Sequence, residues 1–327
     1  MSLIFEARAS IIIYKYISKL KKNKKFILPA NVCPIVPMIF LKAGIAFDFI
    51  DISKQTLEID KNLLYERLSE NPKKYNGILW VRTYGADYNN EEIFKTIKNI
   101  NSKIIIIDDR CLQIPKFDPP KSICDLVIYS TGYSKYVDIG WGGYGFTNNK
   151  YLESDYNLTF EQDDLDIITN KIRKSLINNS PFNYNDNNWL GGEKKINSFR
   201  EYKNHINKTI PISKATKVKM NTIYADYLPK EIQLPKIFNN WRFNILVKNK
   251  SEIMKKINSK NLFSSSHYPS LPKIFLKPEC NNAKILGDHV INLNNDFRLN
   301  EKQAKGLCKI INKNVQITKI SNFLIDL

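Results

Sequence analysis

Lys135 follows Ser130 by five residues in the stretch YSTGYSKYVDIGWGGYGFTNN, residues 129–149, with Gly142 and Gly143 close behind. A lysine on a solvated face needs no such neighbours. One that forms a covalent bond needs a fixed turn, hydrogen-bond donors beside it and room for a ligand. Asp109 stands 26 positions earlier, at the end of the β-branched run KIIIIDD, residues 103–109. A lysine amine can condense with an aldehyde to a Schiff base, and an aspartate facing a pyridine nitrogen keeps that ring protonated as an electron sink. A serine hydroxyl and backbone donors can hold a phosphate. Taken in this order, Asp109, Ser130 and Lys135 suit a pyridoxal 5′-phosphate site. Singly each is a weak signal, because most buried aspartates are structural and most lysines lie on the surface.

Such a site needs a scaffold that brings several strand ends together. Residues 26–30, 45–52, 77–85, 103–109, 126–130 and 144–148 are apolar and rich in β-branched and aromatic side chains, and are predicted as strands. Residues 8–21, 34–41, 62–70 and 89–101 are predicted as helices, with Asp60 capping the third and Asn89 or Asn90 the fourth. Alternation of this kind predicts a mostly parallel α/β sheet flanked by helices, with ligands outside the carboxyl ends of the strands. Tyr84, Gly85, Asp108, Asp109 and Ser130 all fall at such ends and converge on one mouth. Residues 151–210 are polar and asparagine-rich, with a helix expected over 163–178 and a mobile loop after it. A helix from Asn221, strands over 240–249 and 289–296, and helices over 251–261 and 300–312 give the remainder α+β character. The expected division is a large α/β domain over 1–210 and a smaller α+β domain over 211–327.

The 327 residues, 43% of them hydrophobic, can bury a substantial core, which excludes global disorder. A net charge of +18 invites a nucleic-acid reading. The excess is mostly lysine, however, and accompanies abundant asparagine, isoleucine and tyrosine, as an AT-rich coding bias produces. Arginine, which reads phosphates and base edges with a planar fork, is scarce beside it. No nucleic-acid partner is expected. The five cysteines include no CxxC pair and the three histidines lie far apart, so no metal site is expected and the compartment reads as a reduced cytoplasm. Glu6 and Arg8 interrupt the N-terminal apolar run, which argues against a signal peptide, and no uncharged run is long enough to span a bilayer.

The order of the motifs resembles the DegT/DnrJ/EryC1/StrS-type sugar aminotransferases, pyridoxal phosphate enzymes of the aspartate-aminotransferase fold. The likeness runs through EARASI (residues 6–11), LPANVCP (28–34), AGIAFDFIDI (43–52), TYG (83–85) and IIDDRC (106–111). It is strongest over SxxxxK followed by GGYGFTN, and continues through NWRFNILVKN (240–249), HYPSL (267–271) and INLNNDFRLNEKQ (291–303). The resemblance implies that Lys135 links to the cofactor and Asp109 faces the pyridine nitrogen, with Asp108 a structural neighbour. It assigns the phosphate to Ser130 and to the turn Ala7-Arg8-Ala9. Arg8 takes the place of a common threonine and either reaches the phosphate or caps the turn. Cys33 stands where many relatives stack an aromatic ring on the cofactor. Leu112 replaces a polar residue, with Gln113 beside it as a loose match. Tyr84 and His267 are the candidate substrate contacts, although a histidine on a turn-rich loop is more often a surface group. Trp141 reads as core, and Tyr133 equally as a cofactor contact or not. The asparagine segment that reaches a neighbouring subunit's phosphate has no evident counterpart in PISKATKVKM, residues 211–220.

What the resemblance implies is a cytoplasmic homodimer that transfers an amino group from glutamate to a nucleotide-linked keto sugar, for surface polysaccharide biosynthesis. A lysine at 135 argues against the branch of the family that has histidine there and dehydrates its substrate. Two other readings stay open: a pyridoxal phosphate enzyme on a non-sugar substrate, and a cofactor-free binding or regulatory protein, which would be colourless.

Overall fold

Apolar strands flanked by short helices build a seven-stranded mixed sheet in the computed structural model, which describes residues 1–148 and 158–317. The strands are β1 (Ser2–Glu6), β2 (Lys25–Pro29), β3 (Phe47–Ile50), β4 (Tyr75–Val81), β5 (Ile105–Asp109), β6 (Leu126–Ser130) and β7 (Gly143–Thr147). Their order is β1-β7-β6-β5-β4-β2-β3, parallel from β3 to β6, with β7 antiparallel to both β6 and β1. Helices α1 (Ala9–Ile17), α2 (Ile35–Lys42), α3 (Lys61–Glu70) and α4 (Glu91–Ile100) flank it. Successive side chains of the central strands point to opposite faces. Leu79, Ile107 and Ile128 accordingly enter one apolar cluster, and Ile78, Ile106 and Val127 the other. The run of β-branched residues is therefore a strand buried on both faces. Asp60 caps α3 as expected, accepting from the N–H groups of Asn62 (2.9 Å) and Leu63 (3.3 Å).

Several elements differ from the sequence expectation. Thr83–Gly85 is a 3-10 turn rather than the end of a strand, and the strand Ser264–Ser265 and helix Asn281–His289 are not among the predicted elements. Residues 2–6 form β1, a strand defined only by pairing with the distant β7, so nothing local marks it. After α5 (Gln162–Asn178) a loop follows as expected through residue 198, but the helix expected from Asn221 begins far earlier, as the 29-residue α6 (Phe199–Tyr227), which starts at the Ser198 cap and passes through Pro211. Its buried residues, among them Tyr202, Ile206, Met220, Ile223 and Tyr224, form a narrow stripe in a polar sequence. That stripe is why the segment reads as loop. The start of the asparagine-rich stretch, 151–157, lies outside the described residues.

Beyond α6, β8 (Phe243–Leu246), β9 (Ser264–Ser265) and β10 (Val290–Leu293) form a second, antiparallel sheet in the order β8-β10-β9. It packs with α7 (Lys250–Asn258) and α9 (Glu301–Asn314), where a third apolar cluster joins Tyr224, Ile245, Ile291, Leu307 and Ile311, while α8 (Asn281–His289) sends Ala283 and Leu286 into the first cluster. Among the described residues, no helix is long and apolar enough to cross a membrane.

A buried charge network fixes the end of β5. Asp108 is gripped by Arg82 through two bonds (Nε to Oδ1 2.7 Å, NH2 to Oδ2 2.9 Å) and by Arg110 (Nε to Oδ2 2.7 Å). Glu58 lies behind them, fully buried, accepting from Trp80 Nε1 (3.1 Å) and Asn90 Nδ2 (2.7 Å). Burial pushes the Glu58 carboxyl up from 4.5 to about 7, against the pull of Arg82. Between these values the folded protein holds a proton that the unfolded chain has released. The stability from this group is therefore full below pH 4.5 and is lost as pH rises through about 7. Glu58→Gln removes that loss. Thermal melts should show it more stable than wild type at pH 8, by roughly 2–3 kcal/mol, with the difference vanishing near pH 4.5. Identical melting profiles from pH 4.5 to 8 would mean that Glu58 is ionised where it sits.

Candidate active site

The mouth expected at the strand ends forms where β4, β5 and β6 finish beside the first turn of α1. Asp108 and Asp109 are adjacent on β5, and the arginines occupy only the first. The Asp109 carboxylate is held by Cys111 alone, through that residue's N–H (2.9 Å) and its thiol, and no guanidinium reaches it among the described residues. Burial raises its pKa against the opposing effects of the Cys111 donor and the Lys135 charge. Lys135 is half-buried on the turn between β6 and β7, and its charge also reaches Cys33, Cys111 and His267. Both thiols are pushed up by burial.

Ser130 closes β6, donating to the Gly142 carbonyl (3.3 Å) and accepting from the Gly132 N–H (3.3 Å). Opposite it, Gly143 pairs with both Ser130 and Glu6. A Cβ on Gly143 would lie 2.1 Å from the Ala9 nitrogen, so only glycine lets α1 begin against the sheet here. Ala7 accepts from the Gly142 N–H (2.7 Å), which ties the turn before α1 to the glycine pair. The start of α1 carries no side-chain cap, which leaves N–H groups that suit an anion.

Arg8 does not cap that turn with its side chain. Its guanidinium lies 4.5 Å from the Phe160 ring, in a cavity of about 440 Å³ lined also by Trp141, Gly192 and Lys195. Trp141 packs against Phe5 and Tyr202, as a core residue. Gln113 is buried and directs its amide nitrogen to Ala86 O (2.7 Å) and Asp87 Oδ1 (3.1 Å); no contact joins it to Lys135 or Asp109 among the described residues. Tyr133 is 73% exposed and lies under the Arg298 guanidinium.

Tyr84 is fully buried and its hydroxyl donates to the His267 carbonyl (2.6 Å), so the two candidate substrate residues are joined. His267 is not a free surface group. Burial, then the charges of Arg242 and Lys135, lower its pKa to about 4, and the ring is neutral at neutral pH. Both Tyr84 and Tyr268 lie parallel to Trp241, at centroid distances of 6.3 and 6.0 Å. Trp241 and Arg242 are the residues that sequence reasoning missed. The one available signal was a tryptophan next to an arginine in a chain poor in both.

No protein-family model matches the chain, and no curated protein matches it significantly. Solved structures do. The chain is similar to a DegT DnrJ EryC1 StrS aminotransferase from Brucella abortus (14% identity, TM-score 0.65), with 96% of this chain and 86% of that one covered. It is similar to a sugar aminotransferase from Micromonospora echinospora (12% identity, TM-score 0.65; 95% and 87% covered). It is also similar to the E. coli GDP-4-keto-6-deoxy-D-mannose-3-dehydratase, whose structure holds hydrated PLP (16% identity, TM-score 0.61; 95% and 87% covered). The fold is thus that of the pyridoxal phosphate aminotransferases, as the sequence motifs implied.

The two aspartates should separate in a thermal melt. Asp108→Asn strands two buried guanidinium groups and should cost about 3–5 kcal/mol. Asp109→Asn keeps an acceptor for Cys111 and relieves a buried charge, so its melting temperature should match or exceed that of wild type. Equal losses would place both carboxylates in the structural network.

Proposed function

We propose that this chain is a pyridoxal phosphate-dependent aminotransferase that uses glutamate to aminate a nucleotide-linked keto sugar for surface polysaccharide synthesis. The observation that carries the reading is the pairing of Lys135 with Asp109 at one mouth, while Asp108 is already neutralised by two arginines. The named activities of the structural neighbours, sugar aminotransferases and a keto-sugar dehydratase, support the substrate class. We place the cofactor in a large domain over 1–210 and give 211–327 to a smaller one, in a cytoplasmic homodimer.

The residues fit the cofactor. The Ser130 hydroxyl and the uncapped N–H groups that follow Ala7 and Arg8 would hold the phosphate, and Gly143 keeps that cradle open. Asp109 would hold a proton on the ring nitrogen, and Lys135 would carry the covalent link. Cys33, within reach of the Lys135 and Asp109 charges, would border the cofactor, whereas Gln113 is turned away to Ala86 and Asp87. When bound, pyridoxal phosphate supplies an electron-withdrawing ring that stabilises negative charge on the substrate's reacting carbon. Lys135 Nζ would accept the proton lost from glutamate Cα and return one to the sugar carbon that gains the amine. Neutral His267 would meet the sugar by hydrogen bonding without bringing a second charge, and the buried Tyr84 would act through it, by holding the His267 carbonyl. The net positive charge of the chain favours an incoming diphosphate.

Glutamate should bleach the visible absorption of cofactor-loaded protein, and nucleotide-linked keto sugars should restore it. Restoration by small keto acids alone would move the substrate out of the sugar class. No bleaching with any amine would overturn the aminotransferase reading. Sedimentation should give twice the mass of the chain, and an active monomer would remove the homodimer from the account.

A further inference from the structure

Ser134, the residue before Lys135, has a left-handed backbone (φ 59) that a non-glycine residue adopts only when its surroundings impose it. All its polar groups are held. Its N–H donates to Asp138 Oδ2 (2.6 Å), its carbonyl accepts from Trp241 Nε1 (2.6 Å), and its hydroxyl accepts from Arg242 NH2 (2.5 Å). Trp241 and Arg242 lead into β8, in the second sheet. Asp138 is ion-paired to Arg298, which follows β10 and also holds Asp296 (2.7 Å). Every grip on Ser134 therefore comes from the second sheet or is anchored to it.

Arg242 is the unusual member. It is 3% exposed, forms no ion pair among the described residues, and its Nε has no acceptor. Its other contact is NH1 to the hydroxyl of Ser265 on β9. A buried guanidinium whose hydrogen bonds go only to neutral hydroxyls is costly even with the Asp296 charge nearby, and an apolar side chain would fill the space without that cost. What arginine alone offers is a rigid planar fork that spans Ser265 and Ser134 together, a reach that the single ammonium of lysine lacks. Stacking 4.5 Å from the Trp241 ring fixes the plane of the fork, and the same Trp241 holds the Ser134 carbonyl.

We propose that Arg242 is a positioning residue for Lys135 that acts through the hydroxyl of Ser134 and makes the second sheet set the aim of the reactive lysine. The proposal rests on Lys135 being the lysine that links to the cofactor.

The test compares Arg242→Lys, Ser134→Ala and the double variant. In cofactor-free protein, amide hydrogen exchange over residues 131–138 should rise in each single variant while exchange over α4 stays as in wild type. In loaded protein, bleaching by saturating glutamate should slow by about 10- to 100-fold, the scale set by small misplacements of a reacting group, with the apparent affinity for glutamate within about twofold. The double variant should be no slower than the slower single one, because both changes cut the same link. Unchanged exchange in the turn, or losses that multiply in the double variant, would overturn the proposal. So would full recovery by Arg242→Lys, which keeps charge but not the fork. Ser134 is half-buried on a turn, so its variant decides the matter should Arg242→Lys fail to fold. The site reading fails separately: if Lys135→Ala still exchanges amino groups, Lys135 is not the linking residue, whatever the exchange pattern of the turn.

Discussion

Two carboxylates in succession at the end of a buried strand cannot both stay charged without help, and the Arg82–Asp108–Arg110 network is the help that one of them receives. Burial raises the cost of any carboxylate charge there, yet Asp108 is held below the usual range by two guanidinium groups. The same burial acts on Asp109 with only the thiol and N–H of Cys111 and a more distant ammonium in compensation, and it is raised instead. The network thus does more than anchor β4 to β5. It takes up one member of the pair, so that the other enters the mouth with capacity to spare for a ligand. Glu58 behind Arg82 belongs to the same cluster, but Arg82 lies 2.7 Å from Asp108 and 3.9 Å from Glu58, so it serves Asp108 first.

The second sheet completes the mouth rather than hanging beside it. Asp51, just past β3, receives the N–H groups of Asn282 and Ala283 (2.9 Å each) at the start of α8. The Leu271 N–H donates to the Ala30 carbonyl (3.0 Å), which brings the loop of His267 back over the end of β2. Trp241, parallel to Tyr84 and Tyr268, then reaches the residue before Lys135. Through these contacts the aromatic residues join the second sheet to the turn that carries Lys135. Lys217 on α6 adds a buried amine, its pKa lowered by burial to about 7, hydrogen-bonded to Trp241 O (2.7 Å) and Asn295 Oδ1 (2.8 Å) at the same junction.

Much of this was legible because it is local. β5 and β6 announce themselves by apolar, β-branched runs, so Asp109 and Ser130 could be placed at strand ends without coordinates. Asp60 was legible as a cap for the same reason. The rest depends on partners far away in sequence. β1 exists because β7 lies beside it, and the apolar stripe of α6 is hidden among Asn, Lys and Thr with a proline at mid-length. His267 looked like a surface group because burial beside Arg242 and Lys135 leaves no local trace. Arg242 gave no local signal beyond its place next to Trp241, since its meaning lies in two serines more than 20 positions away on either side of it.

The central claim is that Lys135 is the residue that holds pyridoxal phosphate. It is tested most directly by loading the protein with the cofactor, reducing with borohydride and sequencing the modified peptide by mass spectrometry. The account predicts one added pyridoxyl phosphate per chain, on Lys135. A label on another lysine, or a protein that binds no cofactor and takes no label, would contradict it.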